Sequence, residues 1–151
     1  MAWTDTSSIT ALISQIHSAA SSFLKARLQS YGLPDMSSSH GNILFRLSQS
    51  ECLTMGELAR LVNRDKSTVT VLVRKLESAG YVCRESAEAD NRVTYIRLSA
   101  TGREYTDKMA QISKELIGTC YEGFSEDEKA AVFTLLRRIA LNFESSETCS
   151  R

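Results

Sequence analysis

The sequence has little of what metal, disulfide or phosphate-loop chemistry requires. Its 151 residues include two widely separated histidines and four scattered cysteines, with no C-x-x-C pair and no histidine at ligand spacing. A zinc site needs clustered ligands, and disulfide frameworks belong to smaller secreted chains. Nucleophile–base pairings and glycine-rich phosphate loops are also missing. We therefore expect reduced thiols, no metal, no cofactor and no enzymatic activity.

Long apolar runs are missing as well. No stretch approaches the roughly 18–20 apolar residues that span a bilayer. The first ten residues, MAWTDTSSIT, have no basic region followed by an apolar run. With 42% hydrophobic and 24% charged residues, the composition is that of an ordinary globular protein. We expect a cytoplasmic protein with no membrane partner, folded as a single domain over residues 1–151.

The net charge is zero, which taken alone argues against a nucleic-acid partner. The charges are unevenly placed, however. Residues 54–103 carry nine basic and six acidic side chains, whereas residues 104–151 carry six basic and nine acidic ones. The middle third of the chain is therefore the part suited to meet phosphate.

Apolar spacing and capping residues predict a largely helical chain. Between about Ile9 and Tyr31 the apolar residues recur mostly every three, four or seven positions, as on one face of a long amphipathic helix. Ser37 can cap a second helix, and the capping boxes Thr54-x-x-Glu57 and Ser125-x-x-Glu128 open two others. One more helix is expected from about Ala100 to Tyr121.

Residues 67–73, STVTVLV, have the composition of a β-strand. As a helix, however, the pattern continues to a C-terminal Gly80, and Asp65 supplies the N-cap. The helical pattern accounts for about 15 residues and the strand pattern for only seven, so we predict a helix. Its inward side chains would be Val69, Leu72, Val73 and Leu76.

The outward face of this helix is unusual for a solvated surface. It carries Ser67, Thr70, Val71, Arg74 and Ser78, where Glu, Lys and Gln would be better helix formers. Short side chains let the backbone approach another surface closely. Hydroxyls can donate to phosphate oxygens or base edges, and the methyl groups of threonine and valine can touch thymine. The alternative is that the β-branched residues merely pack against a neighbouring element.

The segments on either side of this helix favour DNA contact over packing within the chain. The short helix from Thr54 to Leu61, the turn 62–64 and the helix after Asp65 form a helix-turn-helix, in which Asn63 tolerates the positive φ of the turn. Residues 81–86 and 94–99 predict a β-hairpin, or wing, with Asp90-Asn91 in its turn. Arg92 near its tip could reach the minor groove or nearby phosphates. Alternatively, Arg92 pairs with Asp90 and only stiffens the loop.

This order of elements resembles the MarR family (multiple antibiotic resistance regulators). The resemblance rests on DKSTVTVLVRKLESAGYVCRE, on the D-N-R that follows, and on the L-S-x-x-G of Leu98 to Gly102. It implies a mainly α fold with a small β-hairpin wing: a winged helix-turn-helix lobe over 37–99 and dimerisation helices over 1–34 and 100–145. It also implies a homodimer that binds a pseudo-palindromic operator in double-stranded DNA, most often as a repressor.

In the family pattern, the positions matching Ser67, Thr68 and Thr70 lie in the groove, and the position matching Arg92 is the wing arginine. Val71 stands where arginine is common, and Arg64 where an apolar residue is usual. The full set of candidate DNA-binding residues is Asn63, Arg64, Lys66, Ser67, Thr68, Thr70, Arg74, Lys75, Asn91 and Arg92.

The resemblance further implies release of DNA by a small, often aromatic or phenolic effector. His17 and His40 are the candidate ligand-binding residues, with a histidine satisfied by a backbone carbonyl as the structural alternative. A thiol-based redox regulator is another reading, but no cysteine precedes Cys52, and only Cys120 beside Tyr121 stays open. A protein–protein adaptor that has lost DNA binding is the remaining alternative, supported by the neutral charge and by Val71.

Overall fold

The structure of the protein is a computed structural model that describes residues 6–87 and 90–148, without the side chains of residues 87, 90–92 and 146–148. The chain divides into two compact units, Met1–Lys114 and Glu115–Arg151. The first unit holds every strand that the structure describes and most of the candidate residues.

Within the described ranges, six α-helices form at the predicted places, because each carries its own apolar periodicity and most carry a recognisable cap. A short 3-10 turn, Thr6–Ser8, precedes the first of them. The helices are α1 (Ile9–Ser30), α2 (Ser38–Ser48), α3 (Met55–Leu61), α4 (Lys66–Ser78), α5 (Ala100–Cys120) and α6 (Glu126–Thr148). The helical prediction for residues 67–73 is confirmed.

Both predicted capping boxes are present. The Thr54 N–H donates to Glu57 Oε2 at 2.8 Å, and the Glu57 N–H donates to Thr54 Oγ1 at 3.3 Å. Ser125 and Glu128 make the same two bonds at 2.8 and 3.3 Å. The backbone N–H groups of Thr54 and Ser125 lower the pKa of the two glutamates below their ordinary value. These reciprocal bonds fix the starts of α3 and α6.

Three antiparallel strands form the sheet, in the order β1 (Leu53–Thr54), β3 (Asp90–Leu98), β2 (Val82–Ala87). Sequence reasoning missed β1, because two residues are too short to show an alternating pattern; Leu53 pairs with Ile96. Placing Asp90-Asn91 in the turn was wrong, since β3 already begins at Asp90. Ser86 lies opposite Thr94 but Ala87 opposite Asp90, so three residues of β3 have no opposite partner.

The core of the first unit lies between α2, α3, α4, the sheet and the start of α5. On α4, Val69, Val73 and Leu76 are buried, as the helical reading requires. Tyr105 of α5 packs edge-to-face against Tyr81, with ring centroids 5.5 Å apart. This packing holds α4 against the sheet while leaving the opposite side of the helix at the surface.

Two helices expose many apolar side chains. On α1, Ile9, Leu12, Ile13 and Ile16 are exposed, and Leu28 is its one buried residue. No side chain described on α6 is buried. Its exposed apolar residues are Phe133, Leu135, Leu136, Leu141 and Phe143. Exposed apolar surface on this scale is unusual for a monomer.

The cysteines do not form pairs in the described structure. Cys52 is half-buried, and Cys83 and Cys120 are exposed, all as free thiols; Cys149 lies outside the described residues. Within residues 6–87 and 90–148, no group of three or more His, Cys, Asp and Glu could hold a metal ion. None of the helices described is both long and apolar enough to cross a membrane.

Candidate nucleic-acid interface

A tight turn joins α3 to α4. The Arg64 N–H donates to the Ala59 carbonyl at 3.0 Å, and the Asn63 N–H donates to the Arg60 carbonyl at 3.2 Å. Asn63 has φ +52°, the left-handed conformation predicted for it. Ala59 is buried, so the two helices approach closely. The geometry is that of a helix-turn-helix with α4 as its second helix.

The side of α4 opposite the core lies at the surface. Ser67, Val71, Arg74 and Ser78 are all exposed and form one line along the helix, which we call the outer stripe. Thr70, at its edge, is half-buried. Val71 is 52% exposed, so the alternative that it packs against a neighbouring element of its own chain is wrong.

Asp65 organises the first turn of α4. Its carboxylate accepts from the Ser67 hydroxyl, from the Thr68 hydroxyl at 2.6 Å and from the Thr68 N–H at 2.8 Å. Hydrogen bonds hold the pKa of this carboxyl well below its usual range. The bond from the Ser67 hydroxyl contributes most, followed by the bonds from the hydroxyl and the N–H of Thr68. Asp65 is therefore ionised whenever the protein is folded at neutral pH.

These bonds determine what the hydroxyls can offer to a ligand. Thr70 Oγ1 donates to the Lys66 carbonyl at 2.7 Å, so it is committed within the protein like Ser67 and Thr68. A hydroxyl has one hydrogen and two lone pairs. In this arrangement the three groups present acceptor oxygens, which suit the amino groups of bases. The sequence predicts that these hydroxyls donate to phosphate oxygens or base edges; in the structure their hydrogens are donated within the protein instead.

Cations surround the outer stripe. Arg64, Lys66 and Lys75 are exposed alongside Arg74 of the stripe itself. Lys66 also lines a cleft of about 500 Å³ between the start of α3, the start of α4 and the hairpin. Arg84 lines the same cleft, and its Nε lies 3.0 Å from Oε2 of Glu77, which ties β2 to α4. Sequence reasoning missed Arg84, because nothing local shows that its strand faces α4.

The hairpin lies next to this surface. Arg97 and Glu85 form a cross-strand ion pair at 3.0 Å. Asn91 and Arg92 lie in β3, but their side chains are outside the described part of the chain. Their DNA contacts, and the alternative pairing of Arg92 with Asp90, stay predictions.

The structure separates the two histidines proposed to bind a ligand. His40 lines a cavity of about 570 Å³, together with residues 34–37, the C-terminal half of α4 and Tyr81. Its Nδ1 lies 2.7 Å from the Ser37 hydroxyl, not against a carbonyl, and its buried Nε2 has no hydrogen-bond partner among the residues that the structure describes. His17 is exposed on α1 and does not line this cavity.

Sequence comparison adds a family assignment for the same region. The model of the MarR family matches residues 36–94. The chain is 30% identical over 106 residues to the HTH-type transcriptional regulator SarZ of Staphylococcus aureus, a match covering 70% of each chain. Matches with three uncharacterised HTH-type transcriptional regulators of Bacillus subtilis span 48% to 68% of those relatives' length.

Solved structures share the fold. A mutant MarR from E. coli complexed with operator DNA is 21% identical with a TM-score of 0.62, over 87% of this chain and 92% of that one. MepR of S. aureus bound to ethidium bromide is 23% identical with a TM-score of 0.69, over 89% and 95%. At these identities the likeness is one of fold.

Proposed function

The chain belongs to the MarR family of HTH-type transcriptional regulators, and from that premise we propose that it is a cytoplasmic, homodimeric repressor. It binds a pseudo-palindromic operator through α4 and the wing, and a small effector releases it. The observation that carries this proposal is the exposed outer stripe of α4, flanked by cations, in a helix held from behind by the core.

The proposed assignment of residues to phosphate contacts and base contacts follows from their charges. Arg64, Lys66, Arg74 and Lys75 meet phosphates around the major groove, because they are exposed beside the stripe. The hydroxyls of Ser67, Thr68 and Thr70 meet base edges. Asn63 holds the turn close to the backbone of the duplex, and Asn91 and Arg92 extend the contact from the wing.

Operator binding is tested by fluorescence anisotropy with DNA from upstream of the gene. We expect affinity to fall steeply with salt, by a slope of about 0.9 for each phosphate contact. Ser67→Glu should weaken binding roughly tenfold to a hundredfold, since it brings a carboxylate into the groove. Ser48→Glu, which adds the same charge at an exposed site on α2, is the matched control. Absence of binding even at low salt would instead favour the protein–protein adaptor.

The homodimer is proposed from the exposed apolar residues of α1 and, separately, of α6. A single winged lobe with few cations binds DNA weakly. When a second lobe is held at a fixed distance from the first, its binding to the same DNA becomes effectively intramolecular, and the affinity of the pair rises. We assign residues 1–34 and 100–145 to dimerisation and 37–99 to the DNA-binding lobe. The two half-sites then lie about 34 Å apart, one turn of the duplex.

The effector is assigned to the cavity beside His40. Its volume of about 570 Å³ is in the range that holds small ligands. Lys75, Leu76 and Ala79 form part of its wall, so an occupant would touch the helix that carries the outer stripe. It would release DNA only by binding more tightly to the conformation that binds DNA poorly.

A thermal-shift screen with benzoate, salicylate and 4-hydroxybenzoate tests this site. A bound compound at a hundred times its Kd should stabilise the fold by about 2.7 kcal/mol. We expect His40→Ala to lose this stabilisation and to keep operator binding. His17→Ala is the matched control and should behave as wild type. Stabilisation that survives His40→Ala, or disappears with His17→Ala, would place the ligand elsewhere.

A further inference from the structure

Val71 lies at the surface of the described structure. It is 52% exposed in the middle of the outer stripe, one turn after Ser67 and just before Arg74. A β-branched side chain is a poorer helix former than the Glu, Lys or Gln usual on a solvated face. A branched apolar side chain at this position therefore lowers helix stability, and contact with a partner outside the chain would offset that cost.

The neighbours of Val71 narrow the nature of that partner. The Asp65 carboxylate is ionised, and the hydroxyl hydrogens of Ser67 and Thr68 are donated to it. Between the flanking cations, this end of the stripe itself therefore presents acceptor oxygens, a neighbouring carboxylate and a branched apolar group. A phosphate, which is anionic and only accepts, suits none of these. The edge of a base pair in the major groove can offer both an amino group and a methyl group.

Resting on the proposed operator binding, we propose that Val71 contacts the 5-methyl group of a thymine in each half-site, while Ser67 Oγ accepts from the amino group of a nearby adenine or cytosine. Residues four apart on a helix are separated by about 6 Å along its axis. Successive bases along one strand are about 3.4 Å apart. The thymine and the amino-bearing base therefore lie within about two base-pair steps of each other.

The contact is tested by removing the methyl group alone. High-affinity duplexes are selected from a random pool with the purified full-length chain, and each thymine is then replaced singly by deoxyuridine, which preserves base pairing. We expect one position per half-site at which the replacement weakens binding about fourfold, and about fifteenfold when both half-sites are changed. Val71→Ala should bind the thymine and deoxyuridine duplexes equally.

Ser48→Ala, at an exposed position of α2 outside the outer stripe, is the matched control and should keep the thymine preference of the wild type. Circular dichroism checks that Val71→Ala stays folded, as expected for an exposed site where alanine is the better helix former. If the wild type binds every deoxyuridine duplex as well as its parent, or if Val71→Ala keeps the preference, the inference is wrong and operator binding stands. Failure to select any duplex overturns both.

Discussion

Leu136→Glu is expected to convert the protein to a monomer and to lower operator affinity by a factor of about 10² to 10⁴, the gain that joining two binding modules provides. Leu136 is 42% exposed on α6. Val132 before it, and Ile139 and Phe143 after it, lie at helical spacing on the same side of the helix. A glutamate there would have to lose its hydration in an apolar interface, which costs several kcal/mol unless it finds a partner. Sedimentation at micromolar concentration and anisotropy with the operator measure the two effects.

Thr134→Glu is the matched control. Thr134 is exposed, and helical periodicity places it on the opposite side of α6, so the same charge should leave the dimer intact. If the Leu136→Glu chain still sediments at twice 16.8 kDa and binds DNA normally, then α6 is not part of the dimer interface. The exposed residues Ile9, Leu12 and Ile13 of α1 would then be the next surface to change.

Where signals are local, the sequence was enough to predict the structure. Thr54-x-x-Glu57 and Ser125-x-x-Glu128 specify helix starts because both partners of each bond lie within four residues. The conflict over STVTVLV was decided in the same way. Asp65 caps a helix at a fixed offset, and the apolar positions then place Val69 and Val73 in the core.

Features that depend on distant partners could not be predicted. The two-residue strand β1 exists only because Leu53 lies opposite Ile96. The early start of β3 has a near partner, Ala87 opposite Asp90, but it leaves three residues of β3 without an opposite partner, which no turn pattern in the sequence indicates. Arg84 meets Glu77 across two elements of the fold.

In the candidate site, residue types were predictable, but the direction of their hydrogens was not. A serine in a sequence carries a donor and acceptors alike. Only the position of the Asp65 carboxylate shows that Ser67 and Thr68 turn their hydrogens inward. The predicted donation to phosphate oxygens or base edges therefore becomes a proposed acceptance from base amino groups.

A network around Ser99 ties the end of α4 to the start of α5. The Ser99 hydroxyl donates to the Gly80 carbonyl at 2.6 Å and accepts from the Gly102 N–H at 3.0 Å. The Ser99 N–H donates to the Tyr81 carbonyl at 3.0 Å. Gly80, with φ +80°, ends α4 in a conformation that side chains disfavour. The position of α4 therefore depends on how closely the first turn of α5 approaches the corner formed by Gly80 and Tyr81.

Gly102→Ala is expected to lower the free energy of unfolding by roughly 1–3 kcal/mol, although alanine is intrinsically the better helix former by about 1 kcal/mol. A Cβ at this position would overlap the Tyr81 carbonyl oxygen, and it would lie 3.0 Å from the carbonyl carbon and 3.2 Å from Leu98 Cδ2. The obstacle is backbone, so α5 or the corner at Tyr81 must shift. Urea unfolding at a fixed chain concentration measures the loss.

The matched control is Gly118→Ala in the same helix, where a Cβ meets no atom within 4 Å; it should stabilise the chain by up to about 1 kcal/mol. If Gly102→Ala unfolds at the same urea concentration as the control, α5 does not approach this corner closely, and the proposed dependence of α4 on the Ser99 network fails.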